Sequence, residues 1–332
     1  MSFDLIPEPQ SVTLNGEAVD SDDAGAPVPV ALPLVGRISE DRDIDDIAGV
    51  FPTQLADDIE AATGLRWDIA SDVMVAGLPA PNAATAHPVP PHASCWKSFI
   101  TLRLDPSSLE PQEYRLTIAR SGIDVVGGDT EGVRNGVQTL RQIIRQCAPA
   151  LPRLVIADKP AYKVRGYYLD ATRGRVPTLD WLKTWADRLC LYKYNQLQLY
   201  IEHTFMFDDL SETWRGTSPL KPADIIAFDE YCARLGIELV PSVSTFGHQY
   251  MAMRTRELRH LGEFPEDADR RYGFVERQRH HTLNITEPES LAFSFKLIDA
   301  YMQLFRTRKF NICGDETFDL GRGRSKPEAE RR

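Results

Sequence analysis

The sequence predicts an α/β chain of two domains: an N-terminal α+β domain over residues 1–155, an antiparallel sheet plus helices, and a domain of alternating strands and helices over 156–332. Three observations predict it. A length of 332 residues suggests two domains rather than one. Segments between Ser98 and Val126 alternate apolar and polar residues, as strands with one wet face do in antiparallel sheets. After Pro160 the pattern becomes strictly strand then helix, which means βαβ units and a parallel sheet.

In the first domain, a helical pattern begins at Val50 and ends near Gly64. Ser98–Leu104 alternates, with Ile100, Leu102 and Leu104 on one face. Glu113–Ile118 repeats the pattern through Tyr114, Leu116 and Ile118, and Ile123–Val126 gives a third strand, broken by Gly127-Gly128. Glu131–Cys147 reads as an amphipathic helix through Val133, Val137, Leu140 and Ile144, suited to cover the dry face of that sheet. Gly77–Pro91, rich in Ala, Pro and Asn, reads as a loop.

In the second domain, strands are predicted at Val164–Leu169, Gln196–Ile201, Ile237–Val243 and Lys309–Cys313. Helices are predicted at Thr178–Leu191, Pro222–Leu235 and Thr286–Phe305. The last opens with Thr286-Glu287-Pro288-Glu289, which reads as a capping box with proline in the first turn, and its predicted inner face is Leu291, Phe295, Ile298, Met302 and Phe305. Trp181 and Trp185, one turn apart, read as core. Gly247–Ile285 is long and charged; such loops are functional or disordered. His280-His281 lie in it, adjacent rather than at ligand spacing, and read as solvated.

Each predicted strand ends in polar residues: Asp170 followed by Arg173, then Glu202-His203, then Ser242 to His248, then Asp315-Glu316. Ionisable tips on four successive parallel strands describe the catalytic face of a (β/α)8 TIM barrel, here its first half. Phe310-Asn311-Ile312-Cys313-Gly314-Asp315-Glu316-Thr317 is the most informative segment: an apolar strand running through glycine into two carboxylates. Neighbours in a strand point to opposite faces, so both acids reach one ligand only where the backbone turns, and Gly314 permits a turn.

A formal net charge of −10 argues against a general nucleic-acid or anionic-membrane binder. The first residues lack a basic segment followed by an apolar core, and no apolar run is long enough to span a bilayer. The five cysteines are scattered, with no metal-ligand spacing, so the expectation is a cytoplasmic protein with reduced thiols.

The ordered set of motifs resembles the family-20 glycoside hydrolases, the β-N-acetylhexosaminidases. Ile6-Pro7-Glu8-Pro9-Gln10 is similar to the family's opening segment, and Gly132 with Gln138–Gln142 to the closing helix of its first domain. Arg165–Asp170 resembles its first barrel strand, Phe246-Gly247-His248 the exit of its third, and Gly314-Asp315-Glu316 its catalytic pair. The resemblance implies retaining hydrolysis of an N-acetylhexosaminide-terminated glycan by substrate-assisted chemistry, an exception to the two-carboxylate scheme. Glu316 would be the general acid; Asp315 would hold the substrate's acetamido N–H. Arg165 would fork onto sugar hydroxyls, and His248 would sit in a network behind Glu316. Glu202 stands where the family has a tryptophan-histidine segment followed by aspartate, and is read as a site residue or a barrel-mouth ion pair. The chemistry calls for no metal and no organic cofactor.

The part after Pro160 falls short of the about 250 residues of a full barrel. Two rival readings follow. One is a non-catalytic fragment or sugar-binding remnant, whose open strand edges favour self-association. The other is a two-carboxylate glycosidase of a different family.

Overall fold

The computed structural model describes residues 3–14, 28–47, 49–70 and 98–332. The expected loop at Gly77–Pro91 lies outside the described residues. The chain divides into two compact units: Met1–Lys163 with Leu189–Lys193, and Val164–Arg188 with Tyr194–Arg332.

The first unit carries strands β1 (Ser11–Leu14), β2 (Val30–Ala31), β3 (Arg37–Glu40), β4 (Asp68–Ala70), β5 (Ile100–Leu104), β6 (Tyr114–Ala119), β7 (Gly122–Gly127), β8 (Ala150–Leu151) and β9 (Leu154–Asp158), with helices α1 (Val50–Thr63) and α2 (Thr130–Cys147). Strand β9 lies across the 155/156 boundary expected from sequence, and the division falls after Lys163. Seven strands form one sheet in the order β1-β9-β6-β7-β5-β3-β4, and β2 pairs with β8.

The sheet is mixed, not antiparallel: β5 runs parallel to β7 and to β3, and β3 parallel to β4. Alternation reports which face of a strand is dry; it carries no information about the direction of the neighbour. The dry face itself is as expected, with Tyr114, Leu116 and Ile118 buried on β6 and Ile100 and Leu102 on β5. Helix α2 covers it. Its N-cap Asp129 accepts a hydrogen bond from Gly132 N at 2.7 Å. Gly136 lets the helix lie close to the sheet: a Cβ there would meet Val125 Cγ1 at 2.6 Å. Asp58 of α1 accepts from Arg141 at 2.7 Å and from Arg145 at 2.8 Å, tying α1 to α2.

The second unit opens with β10 (Gly166–Asp170), α3 (Leu179–Leu191, whose last residues from Leu189 count with the first unit), β11 (Gln196–Ile201), α4 (Ser211–Trp214), α5 (Pro222–Arg234) and β12 (Glu238–Val243). Helices α6 (Tyr250–Met253), α7 (Phe274–Arg277), α8 (Pro288–Met302) and α9 (Lys326–Arg331) follow. Strands β10, β11 and β12 form a parallel sheet in chain order. Its outer face is apolar, with Leu197, Leu199, Ile201, Leu239 and Val243 buried. Its inner face is polar, with Gln196, Gln198, Tyr200, Ser242 and Ser244.

The predicted fourth strand is reduced to a single parallel bridge, Ser242 with Asn311. Val243 N donates to Asn311 O and Asn311 N to Pro241 O, both at 3.0 Å. The segment therefore runs beside β12 without becoming a full strand.

Helix α8 buries Phe293, Leu297 and Tyr301 rather than the predicted face: Leu291, Phe295 and Met302 are exposed. The helix carries two apolar stripes, and periodicity cannot choose between them. Its expected capping box is absent: Glu287 is the N-cap without a side-chain bond, and Thr286 Oγ1 donates to Asn284 instead. The 247–285 stretch is ordered, with α6, α7 and 3-10 turns at Arg259–Leu261 and Pro265–Asp267.

Candidate active site

The carboxyl ends of the parallel strands gather the site. After β10, Asp170 Oδ1 accepts from the backbone N–H of Thr172 at 2.8 Å and of Arg173 at 2.9 Å, a turn closed by an aspartate. That turn aims Arg173 back across the strand ends. Its guanidinium pairs with Asp170 Oδ2 at 3.3 Å and with Glu202 Oε1 at 3.1 Å.

Beyond β11, Glu202 is held by its backbone N–H to Thr172 Oγ1 at 2.9 Å and by the Tyr200 hydroxyl, which donates to its Oε1 at 3.1 Å. Burial raises the Glu202 carboxyl above its usual range, with Arg173 and Tyr200 opposing. His203 Nδ1 lies 3.8 Å from Glu202, too far for a hydrogen bond. Burial pushes the His203 imidazole down to about 4, so the two do not form an ion pair at neutral pH.

Beyond β12 the chain turns at Gly247. A Cβ there would lie 3.0 Å from Asp315 O, so the absence of a side chain lets this turn touch the acidic segment. His248 follows with φ 57 and is buried. Its Nε2 lies 3.1 Å from Glu316 Oε2. Burial, then Arg173, lower the His248 imidazole, against the pull of Glu316 and Asp315. Glu202, His203, His248 and Gln249 line a cavity of about 20 Å³, space for one water.

The backbone does turn at the acid pair, but Gly314 is not where it takes the left-handed form. Cys313 has φ 48 and Glu316 φ 51, so two non-glycine residues adopt it. Cys313 Sγ is 3.1 Å from Ser242 Oγ, which anchors the turn to β12. Asp315 and Glu316 are exposed, and the donor atoms of His248, Asp315 and Glu316 all lie within 4.8 Å of one another. Such a trio could hold a cation. We assign no metal ligand here: the one short contact within it joins an imidazole to a carboxylate, which suits proton handling.

Of the residues singled out from sequence, His248, Asp315 and Glu316 are brought together, and Glu202 shares a cavity wall with His248. Arg165 precedes β10 at the opposite end from Asp170, where its backbone N–H donates to Asn195 Oδ1 at 2.8 Å. From sequence Arg173 is only a strand-end residue and Tyr200 has no assigned role, yet both belong to this cluster. For Tyr200 the signal was present: it shares a strand face with Glu202, two residues on. His280 and His281 are partly buried and partnered rather than freely solvated. His280 Nδ1 is 3.1 Å from Asp319 Oδ1, and the His281 ring packs edge-on to Tyr250 at 4.8 Å. Trp181 is half-buried, stacked on Trp185 at 5.4 Å with the Arg175 guanidinium over its ring.

Two family models match the chain in order. "Glycosyl hydrolase family 20, domain 2" covers residues 45–159, and "Glycosyl hydrolase family 20, catalytic domain" covers 162–327. The chain belongs to glycosyl hydrolase family 20. A β-hexosaminidase of Akkermansia muciniphila is 30% identical over 169 residues, 42% of this chain and 33% of that protein. A lacto-N-biosidase of Bifidobacterium bifidum is 28% identical over 225 residues, 65% of this chain and 19% of that protein. Among solved structures, the N-acetyl-β-hexosaminidase of Streptomyces plicatus superposes with a TM-score of 0.68 at 22% identity, over 95% of this chain and 60% of that one. The chitobiase of Flavobacterium johnsoniae gives 0.72 at 19% identity, over 98% and 47%. The likeness shows the fold, an N-terminal domain followed by a TIM-barrel-type catalytic domain. The chain spans only part of the length of each of these relatives.

Proposed function

We propose that this chain carries the acid-base centre of an exo-acting β-N-acetylhexosaminidase, set on the first strands of a (β/α)8 barrel. The observation that carries the reading is the His248–Glu316 contact of 3.1 Å, with Asp315 adjacent, at the carboxyl ends of parallel strands in a family-20 chain.

In this reading Glu316 protonates the departing glycosidic oxygen and later takes a proton from the water that attacks the anomeric carbon and displaces the acetamido oxygen. The 2-acetamido oxygen of the substrate attacks the anomeric carbon. Asp315 binds the acetamido N–H and offsets the positive charge of the cyclic intermediate. Arg165, which the resemblance would set on hydroxyls of the terminal sugar, lies at the amino end of β10, apart from this cluster. The substrate is a glycan or glycoside ending in β-linked N-acetylglucosamine or N-acetylgalactosamine. The scattered cysteines fit a cytoplasmic home, which cell fractionation tests.

The test is release of p-nitrophenol from p-nitrophenyl β-N-acetylglucosaminide by the purified 332-residue chain, with Glu316→Gln as control. Turnover by the first and none by the second supports the reading. A second reading is favoured by the exposed Leu291, Phe295 and Met302 on α8: a catalytically incomplete or sugar-binding form whose apolar face and site other chain would complete. It predicts binding of N-acetylglucosamine without turnover.

A further inference from the structure

We infer that Arg173 is a positioning residue of the proposed glycosidase site, tying the ends of β10, β11 and β12 into one array and holding a fixed positive charge beside the His248–Glu316 pair. The inference rests on the functional reading above.

The geometry is that of a latch. One guanidinium nitrogen of Arg173 lies 3.3 Å from Asp170, at the end of β10. The other lies 3.1 Å from Glu202 and 3.2 Å from the Tyr200 hydroxyl, both from the end of β11. The guanidinium carbon also lies 5.1 Å from the centre of the Tyr200 ring. The same hydroxyl is 2.7 Å from Ser244 Oγ, just past β12. A single side chain thus reaches two strand ends directly and the third through one hydroxyl. Arg173 Nε is buried with no hydrogen-bond partner, a cost the fork's other bonds must offset.

The charge matters as much as the fork. The ionisable groups facing His248 are Arg173 after β10, Glu202 and His203 after β11, and Asp315 and Glu316 on the acidic turn. The carboxylates favour an imidazolium; Arg173 and burial oppose it. An imidazole whose protonated form is disfavoured competes less with Glu316 for the proton that the general acid must deliver. Lysine would keep the charge and lose the planar fork onto Glu202 and Asp170.

The experiment compares the full chain with Arg173→Met and Arg173→Lys, each first shown to be folded by circular dichroism. The His248 ring is titrated by NMR, assigned by its loss in His248→Gln, and kcat and KM are measured on p-nitrophenyl β-N-acetylglucosaminide. The Met variant should raise the His248 midpoint by on the order of one pH unit. It should lower kcat by on the order of tenfold or more with KM little changed. The Lys variant should hold the midpoint near wild type yet leave kcat reduced. An unchanged midpoint in a folded Met variant overturns the proposal. Should Met not fold, wild-type kcat in the Lys variant, or a shifted midpoint in it, overturns it. A wild-type chain without turnover defeats the functional reading instead, and the NMR comparison still decides the role of Arg173.

Discussion

His248 Nε2 meets Glu316 Oε2 at 3.1 Å, and both residues hold left-handed backbone, with φ 57 and 51. Two residues from separate turns accept an unfavourable conformation in order to meet. Strain of this kind persists where the surroundings over-determine it, as at functional sites.

The first prediction concerns that pair. Glu316→Gln removes the transferable proton while keeping the shape, and Asp315→Ala removes the acetamido partner. Each should lower hydrolysis of an N-acetylglucosaminide by on the order of 10²–10⁴-fold. Initial rates of p-nitrophenol release read this directly. Wild-type rates in either variant would contradict the assignment.

Gly247 supplies a subtler test. Its turn lies against Asp315 O, where a Cβ would sit at a tight 3.0 Å and a branched side chain would crowd the acidic segment. Gly247→Val should push the acidic segment away and cost on the order of 10²-fold in kcat/KM. The melting temperature should move far less, because the first unit and the outer face of the sheet are untouched. Steady-state kinetics beside a thermal melt separate the two effects.

Arg165 stands apart from the other site residues, at the amino end of β10. If it forks onto sugar hydroxyls, Arg165→Lys should lower kcat/KM on an N-acetylglucosaminide by on the order of 10²-fold, since an ammonium cannot reproduce a bidentate contact. An unchanged kcat/KM would remove Arg165 from the site.

Stability should depend on pH through Glu40 in the first unit. Burial, then Asp46, push its carboxyl from an ordinary 4.5 up to about 8. The folded state therefore binds more protons than the unfolded state between those values, and stability falls as pH rises through that window. Glu40→Gln removes the penalty. Its melting temperature should exceed wild type at pH 8 by more than at pH 4.5. Equal gains at both pH values would contradict the argument.

What could be read from sequence was what local periodicity and chain punctuation determine. Gln196–Ile201 alternates and is β11; α1 stops at Gly64, where φ is 74. Asp315-Glu316 and His248 stand at predicted strand ends, and the resemblance of Phe246-Gly247-His248 and Gly314-Asp315-Glu316 to family motifs makes them candidates. Illegible features were those set by what lies alongside. The direction of β5 depends on β3 and β7, and the buried stripe of α8 on which neighbour it meets. Gly314 was a reasonable place for the turn, yet Cys313 and Glu316 carry it because tertiary contacts hold them there. His280 and His281 read as solvated because nothing nearby in sequence reveals Asp319 or Tyr250.

The most direct test of the central claim compares two substrates that differ only at C2. The purified chain and its Glu316→Gln variant are given p-nitrophenyl β-N-acetylglucosaminide and p-nitrophenyl β-glucoside under the same conditions. The account predicts that the wild-type chain cleaves only the acetamido substrate and that Glu316→Gln cleaves neither. Comparable cleavage of the glucoside, or turnover that survives in Glu316→Gln, would contradict it.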